Sequence, residues 1–388
     1  MPDHKKIRLG LLAVSFSSLF LLTSCGQFFI PQNGGGGATC TDCVYIANSG
    51  TEDVSQFAVG KTLTVVSGTN VSVGAVPSSV AVSPTDPYVY VGSVSGGILL
   101  FPIETGGALG TVTTASDATG PYAMTVDPTG DWLITASLDV NGTGTNCSTG
   151  DVPYQLSIFQ ISDGGALSTT PGTLLSTICG STAVPPTGIA ISPNGKYIFM
   201  SIGTQGVLAY TFDTSSGIAT SVSTPIVSSS TTSYNSVAVD PTSTYLFVAS
   251  SGSAGGLSEY NISTAQKVGS TQSPIDSFYA VAVPSAASGN YVYVSDRTTG
   301  NIYGFSYSST ALTALSGSPY SPSSASQGTI GMVIDSSSTY LLTINSQSGP
   351  NLQAFSIGTG GALTATSTGT TSSGSYYPIA LAVTGSGS

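Results

Sequence analysis

The sequence predicts an all-β fold, a seven-bladed β-propeller with four-stranded antiparallel blades. One pattern, two strands separated by a turn, recurs along the chain with a period of roughly 45 residues. Turn-forming Gly, Ser and Thr interrupt the chain about every 8–12 residues, and no segment keeps the apolar period of a helix. Four short strands per repeat at this period are typical of propellers, whose blades pack face to face around an axis.

The repeated pattern is clearest in PTGIAISPNGKYIFM at residues 186–200, and related copies begin at Pro77, Pro121, Tyr234, Phe278 and Thr329. A seventh copy is split between the chain ends. Its first strand is PIALAV at residues 378–383, and its second strand is CVYIANS at residues 43–49. We therefore expect the C-terminal strand to close the first blade. Closure of the ring removes strand edges that otherwise promote aggregation.

The third position of the first strand is small in every copy. The residues at this position are Ser79, Ala123, Gly188, Ser236, Ala280, Gly331 and Ala380. First strands converge on the propeller axis, where a larger side chain would collide with the neighbouring blade. The next residue is apolar in every copy and points to the opposite face, because side chains alternate along a strand. The column predicts close packing of neighbouring blades near the axis.

The N-terminus has the pattern of an export signal. A basic head with Lys5, Lys6 and Arg8 precedes a largely apolar run at 9–22, which is shorter than the roughly 20 residues of a spanning helix. The next residues, Leu-Thr-Ser-Cys, resemble the bacterial lipobox. Residues 1–24 are therefore predicted to be a lipoprotein signal peptide, with lipid attached to Cys25. An ordinary export signal with a chance cysteine is the alternative.

The segment after the signal peptide indicates how the mature protein is attached to a membrane. Residues 25–39 include NGGGG and are expected to be a flexible tether, and residues 40–388 form the propeller. Lipid on Cys25 would hold the exported chain at a membrane of the cell envelope. By the same resemblance, Gly26 after the cysteine indicates the outer membrane if the organism is Gram-negative.

The remaining cysteines suit an oxidising compartment. With Cys25 assigned to lipid, an even number remains for two disulfides: Cys40, Cys43, Cys147 and Cys179. The CTDC spacing could also indicate a redox pair or half of a zinc site. No second CxxC follows, and the only histidine is in the signal peptide. A small structural disulfide is the favoured interpretation of this pair.

Charged residues are scarce, at 6% of the chain, against about 25% in typical soluble domains. After the signal peptide the only basic side chains are Lys61, Lys196, Lys267 and Arg297. Because phosphate binding needs clustered Lys and Arg, this composition excludes nucleic acid as a partner. No cofactor is indicated, and we expect a monomer.

Several repeats resemble a known family. The segments AMTVDPTGDWLITAS at 123–137, GALT and SGSPY at 316–320 are similar to the lactonase-like seven-bladed propellers with YVTN-type repeats, and the resemblance covers essentially all of the mature chain. It implies an exported bacterial propeller. Family members with lactonase activity use sites with His, Arg or acidic groups. Here histidine is absent after residue 24 and Arg297 is the sole arginine there, so no such site can be carried over.

Propeller topology sorts the loops onto two faces. Face T holds the loops from second to third strands and the connections between blades, and face B holds the turns from first to second strands. The longest loop, within residues 138–155, joins a second strand to a third, and Cys179 lies in the connection after that blade. Cys147 and Cys179 therefore share face T, where a disulfide is geometrically feasible. Because Cys43 opens a second strand, the tether leaves from face B, and face T would point away from the membrane.

Face T carries the candidate binding residues. The entrances to the first strands hold Tyr122, Asn235, Tyr279, Tyr376 and Tyr377, whose aromatic rings could stack on sugars or grip a peptide. The alternative is that the tyrosines merely plug the mouth of the channel.

Catalysis has only weak candidates in this sequence. Asp139, Asp151 or Asp296 could act as a base beside Arg297. DVNGTG places Asp139 and Asn141 in an alternating arrangement that suits Ca²⁺, but residue 150 is Gly where an EF-hand loop has Glu. No metal site is therefore predicted.

The sequence is compatible with three functions. We expect most strongly a surface-anchored, non-catalytic propeller that binds a glycan or a protein through face T. A lactone hydrolase of the 6-phosphogluconolactonase type, which uses carboxylates of face T, is the first alternative. A structural protein of the cell envelope without a discrete ligand is the second.

Overall fold

The computed structural model of the chain describes residues 40, 42–66, 70–116, 120–139, 147, 151–180, 184–222, 226–272, 277–284, 289–322, 328–346, 351–369 and 377–384. Residues 1–39 lie outside this described part of the chain, and with them the predicted signal peptide 1–24, Cys25 and the tether 25–39.

Blade 1 joins the two ends of the chain. Its strands are β1 (Cys43–Asn48), β2 (Asp53–Ala58), β3 (Thr64–Val65), β4 (Val71–Ser72) and, from the C-terminus, β29 (Pro378–Val383). β29 pairs antiparallel with β1, with Val383 opposite Val44 and Pro378 opposite Asn48. The predicted closure of the first blade by the C-terminal strand is confirmed. Both β3 and β4 pair with β2 at the outer side of the blade.

Blades 2 to 4 are regular four-stranded antiparallel sheets. Blade 2 contains β5 (Pro77–Val82), β6 (Tyr88–Ser93), β7 (Gly97–Pro102) and β8 (Thr113–Ser116). Blade 3 contains β9 (Ala123–Val126), β10 (Trp132–Leu138), β11 (Val152–Gln160) and β12 (Gly172–Gly180). Blade 4 contains β13 (Gly188–Ile191), β14 (Tyr197–Ser201), β15 (Val207–Asp213) and β16 (Ile218–Ser221).

Blades 5 to 7 repeat this arrangement. Blade 5 contains β17 (Thr232–Val239), β18 (Tyr245–Gly252), β19 (Gly256–Asn261) and β20 (Gln266–Gln272). Blade 6 contains β21 (Phe278–Ala282), β22 (Tyr291–Asp296), β23 (Ile302–Tyr307) and β24 (Leu312–Ala314). Blade 7 contains β25 (Thr329–Ile334), β26 (Tyr340–Asn345), β27 (Leu352–Ile357) and β28 (Leu363–Gly369), with a short 3-10 turn at Thr359–Gly361.

The first strand of each blade lies at the propeller axis. Each one contacts the first strands of both neighbouring blades, which gives the closed cycle β29, β5, β9, β13, β17, β21 and β25. The predicted seven-bladed propeller is therefore confirmed. Apolar side chains of adjacent blades fill the space between the sheets; between blades 2 and 3, for example, Tyr90 and Leu100 pack with Leu133 and Phe159.

The column of small residues marks a close approach of neighbouring first strands. A Cβ on Gly331 would come within 2.8 Å of Leu381 Cδ2 in the adjacent blade. A Cβ on Gly188 would lie 3.0 Å from Ser201 Oγ and 3.5 Å from Ser236 Cα. Larger side chains at these two positions would force neighbouring strands apart, which is the physical reason for the predicted column.

Acidic residues after the first strand hold the turns of face B. In blade 5, Asp240 Oδ1 accepts hydrogen bonds from the backbone N–H groups of Thr244 and Tyr245, each at 2.6 Å. Asp127 in blade 3 and Asp335 in blade 7 accept equivalent bonds from their own turns. The DPT and DSS segments of the repeats are thus turn-forming elements, because the carboxylate satisfies backbone donors.

Tyrosines on second strands link blades to their neighbours. The hydroxyl groups of three tyrosines each donate a hydrogen bond of 2.8 Å to a glycine carbonyl in the next blade: Tyr45 to Gly107, Tyr90 to Gly165 and Tyr293 to Gly361. All three acceptors belong to the GGAL turn of the repeat. Where the next blade lacks GGAL, as after blade 5, the equivalent residue is Phe247. The tyrosine and the GGAL turn therefore form one interaction between blades.

Glu259 is a buried carboxyl between blades 5 and 6. It lies on β19, and neither carboxylate oxygen has a hydrogen-bond partner among the described residues. Gly269 on β20 leaves room for it, since a Cβ at that residue would come within 2.8 Å of Oε2. Burial and, to a smaller extent, the charge of Asp240 raise the pKa of Glu259 to about 7.

We expect the protein to lose stability as the pH rises from about 4.5 to about 7. The ordinary pKa of the glutamate is 4.5, so below that pH the carboxyl is protonated in both the folded and the unfolded state. Between the two pKa values the unfolded chain releases a proton that the folded protein retains. Above pH 7 the full penalty remains, on the order of 3 kcal/mol. Thermal unfolding measured from pH 4 to pH 8 tests this.

The variant Glu259→Gln should show a smaller dependence of Tm on pH and a higher Tm than the parent at pH 8. Glu104→Gln makes the same chemical change at an exposed position and should keep the slope of the parent. Identical slopes for the parent and Glu259→Gln would contradict the role of this carboxyl.

Candidate binding site

A cation and an aromatic ring meet on face T of blade 6. Arg297 follows β22, and Tyr279 is the second residue of β21. The guanidinium carbon of Arg297 lies 4.7 Å from the centroid of the Tyr279 ring, within the range of a cation–π contact. Arg297 is exposed and Tyr279 is half-buried. The backbone N–H of Arg297 donates to the Ser277 carbonyl at 3.0 Å, which fixes the loop against the entrance of the first strand.

Asp296 builds the turn that carries Arg297. It is fully buried, and its Oδ1 accepts hydrogen bonds from the Ser277 hydroxyl at 2.7 Å and from the backbone N–H groups of Thr298 at 2.8 Å and Thr299 at 3.1 Å. Its Oδ2 is buried without a hydrogen-bond partner among the described residues. The carboxylate therefore points into the protein, and its contacts position the loop of Arg297.

Arg297 is the only Lys or Arg side chain on face T of the propeller. The other three basic residues after the signal peptide are all described: Lys61 and Lys196 lie in turns of face B, and Lys267 lies near that face on the outer strand β20. Within the described residues the guanidinium contacts the Tyr279 ring and no carboxylate. Its positive charge is thus available at the surface.

Asn235 serves as a brace between blades 5 and 6. Its Nδ2 donates to the Phe278 carbonyl at 2.8 Å and to the Ser251 hydroxyl at 2.9 Å. Residues at the same repeat position make equivalent contacts elsewhere: Ser78 donates to the Pro121 carbonyl, and Thr187 to the Tyr234 carbonyl. Asn235 therefore fixes the strands beneath the site, and its amide nitrogen is already used.

The remaining predicted binding residues lie in other blades. Tyr122, at the entrance of β9, is half-buried and packs against the core between blades 3 and 4. Tyr377, beside the start of β29, is 53% exposed. Tyr376 lies outside the described residues. The structure thus joins Tyr279 to Arg297 but spreads the tyrosines of face T around the ring.

Two of the catalytic candidates lie in blade 3, well away from Arg297. Asp139 follows β10 and is buried, with its backbone N–H donating to the Pro153 carbonyl. Asp151 precedes β11 and is exposed. Burial, and then the charge of Asp151, raise the pKa of Tyr154 to about 12. The structure therefore does not bring Asp139 and Asp151 together with Asp296 and Arg297.

Both predicted disulfides are present. Cys147 is bonded to Cys179 across a sequence separation of 32, a loop that contributes roughly 3–4 kcal/mol in the chain-entropy model. Cys40 is bonded to Cys43, and this pair packs against Gly107, where a Cβ would come within 2.2 Å of Cys43 Sγ. The bond holds the start of the described chain on face B.

A cavity of about 410 Å³ lies along the axis. Residues of all seven first strands line it, and it extends to Pro193, Pro241 and Pro284 in the turns of face B. It therefore opens away from the Arg297 site. Among the described residues no cluster of three or more His, Cys, Asp or Glu could hold a metal ion, and no helix is both long and apolar enough to span a membrane.

The chain has structural neighbours but no match to a family model or to a curated protein. A protein of Bacteroides uniformis provisionally assigned as a 6-phosphogluconolactonase aligns with a TM-score of 0.64 at 14% identity, over 88% of this chain and 99% of that chain. The periplasmic gluconolactonase of Pseudomonas aeruginosa aligns with a TM-score of 0.59 at 13% identity, over 88% and 99% of the two chains. A chain of hydrazine synthase from Kuenenia stuttgartiensis aligns with a TM-score of 0.57 at 14% identity, over 81% and 92%.

Structural similarity at this level of sequence identity shows the fold alone, because proteins that share one fold can have different activities. The chain is a seven-bladed β-propeller with four-stranded antiparallel blades, and proteins of the 6-phosphogluconolactonase type are among its structural neighbours.

Proposed function

We propose that this chain is a non-catalytic binding module that takes its ligand, a glycan or a protein, on face T. The observation that carries the proposal is the exposed guanidinium of Arg297 above the ring of Tyr279. Aromatic residues and arginine supply much of the energy at binding surfaces, because they combine a large contact area with directed hydrogen bonds. The turn held by Asp296 keeps this pair in place before a ligand arrives.

The positions of the carboxylates favour binding over hydrolysis. A general base must come within hydrogen-bond reach of the proton that it removes. Asp296 is buried, and one of its oxygens already accepts hydrogen bonds from the Ser277 hydroxyl and from the backbone of its own turn. Asp139 is buried as well, and the exposed Asp151 lies in blade 3, three blades away from Arg297. No described carboxylate therefore stands beside the guanidinium in a position to activate water for attack on a lactone.

Ligand binding without turnover is the expected result of a paired screen. The full chain is applied to an oligosaccharide array and to a panel of cell-envelope proteins, and is also assayed against aldonolactones and homoserine lactones. We expect at least one retained ligand, loss of its binding in the double variant Tyr279→Ala/Arg297→Ala, and unchanged binding in Lys196→Ala, which removes a cation of face B. No lactone should be hydrolysed.

Two results would overturn this proposal in different directions. Lactone turnover that is lost in Asp296→Asn or Asp151→Asn would make the chain a lactone hydrolase. An empty array together with an empty protein panel would favour a structural role in the cell envelope.

We also propose that the mature chain is exported and anchored at a membrane of the cell envelope through lipid on Cys25. The basic head, the apolar run and the resemblance to the lipobox support this proposal. The first described residue, Cys40, lies on face B, so face T is the side of the propeller opposite to the attachment of the preceding chain.

Lipidation at Cys25 predicts that the protein takes up labelled palmitate in cells and sediments with membranes. Cys25→Ser should abolish both. The matched control Cys40→Ser/Cys43→Ser removes two other cysteines and should keep the label. Membrane sedimentation that persists in Cys25→Ser would contradict the anchoring.

A further inference from the structure

Arg297 has the geometry of a receptor for one carboxylate. A guanidinium presents a planar fork of N–H donors that matches both oxygens of a carboxylate. In this loop the guanidinium carbon lies over the Tyr279 ring, 4.7 Å from its centroid, while the side chain remains exposed. Stacking restricts the orientation of the fork before a ligand binds, so less side-chain entropy is lost on binding.

The charge of the whole molecule selects a ligand with a single negative group. The chain has a formal net charge of −11, and a polyanion would be repelled by the rest of the surface. Arg297 offers one positive charge on face T, whereas the three lysines lie on or near face B. A short-range contact with one carboxylate therefore fits this surface better than attraction of a long acidic polymer.

The surroundings of Arg297 are rich in hydroxyl groups. Thr298 and Thr299 are exposed in the same loop, and Ser251 and Ser277 are half-buried beside it. Among the described residues, the exposed large apolar residues of face T belong to blades 1, 2 and 4 or their connections: Val76, Val94, Val184, Tyr377 and Ile379. Because the centre of a protein interface is depleted of charge and apolar, the sector around Arg297 suits a hydroxylated ligand better than a protein.

We propose that the Arg297–Tyr279 pair binds the carboxylate of a uronic acid in a short saccharide that carries one such residue. The proposal rests on the proposed function of face T and names the ligand class of that same site. The guanidinium donates two hydrogen bonds to the carboxylate, and the hydroxyl groups of Thr298 and Thr299 contact the sugar. Asp296 is a positioning residue, because its bonds to the backbone of both threonines hold the loop.

Titration calorimetry with three related disaccharides tests the proposal on the full chain. Cellobiouronic acid carries one carboxylate, its methyl ester blocks that group, and cellobiose lacks it. We expect the acid to bind about ten- to hundredfold more tightly than either neutral sugar, which is the range for hydrogen bonds to a charged group. Its affinity should fall as salt is added, because the contact is electrostatic.

Variants of Arg297 and Tyr279 distinguish the contribution of the arginine charge from that of the orientation of the guanidinium. Arg297→Ala should reduce the affinity for the acid to that for the methyl ester and leave the neutral sugars unchanged. Arg297→Lys should recover part of the preference, since it restores the charge without the planar fork. Tyr279→Phe should behave as the parent, and Tyr279→Leu should weaken binding of the acid alone. Lys196→Ala on face B is the matched control and should change nothing.

Asp276 precedes Ser277 and lies outside the described residues. The variant Asp276→Asn is therefore added to the calorimetric measurements. Tighter binding of the acid in this variant would agree with the proposal, because the substitution removes a negative charge that directly precedes Ser277 in the sequence. Unchanged affinity would agree as well, provided that Arg297→Ala abolishes the preference.

Failure of this inference can be told apart from failure of the proposed function. Equal affinity for the acid and its ester, with a glycan still bound on the array, would contradict the uronic acid as the ligand. It would leave the proposed function as a binding module intact. Binding of a short acidic peptide through Arg297, without binding of any saccharide, would overturn the saccharide class. Absence of any ligand in calorimetry, on the array and on the protein panel would overturn both proposals.

Discussion

The antiparallel pairing of β29 with β1 holds the two ends of this propeller together. Each of the seven first strands contacts the first strands of its two neighbours, and the cycle closes only because a C-terminal strand completes the blade begun at the N-terminus. Without it, β1 and the first strands of blades 2 and 7 would be left with open faces and unpaired edges. Ring closure therefore fixes the distance between all neighbouring blades.

Fixed spacing between blades explains the contacts that recur around the ring. Small residues such as Gly331 allow first strands to approach, and the Tyr–GGAL hydrogen bonds tie second strands to the next blade. The Arg297 site depends on the same framework: Asn235 of blade 5 braces the Phe278 carbonyl, next to Tyr279, while Asp296 holds the loop above. The site thus lies at the junction of two blades, and the closed ring keeps these blades in fixed positions.

The fold could be predicted from the sequence because its signals are local. Alternating apolar residues, turn residues and a split repeat at residues 378–383 and 43–49 are visible without knowledge of contacts. The details of the site were less accessible. Tyr279 and Arg297 were both candidates, but their stacking depends on how two loops meet, and Asn235 looked like a surface residue although it bonds across blades. No pattern in the sequence indicates that Glu259 is buried, because only the packing of blades 5 and 6 removes its side chain from water.

Thermal unfolding of a chain that ends at Tyr377 tests the dependence on ring closure most directly. This truncation removes β29, whereas the control chain that ends at Thr384 keeps it. We expect the control to unfold at the temperature of the parent, and loss of β29 to lower Tm strongly or to prevent cooperative folding. An unchanged Tm after removal of β29 would show that the blades hold together without their closure.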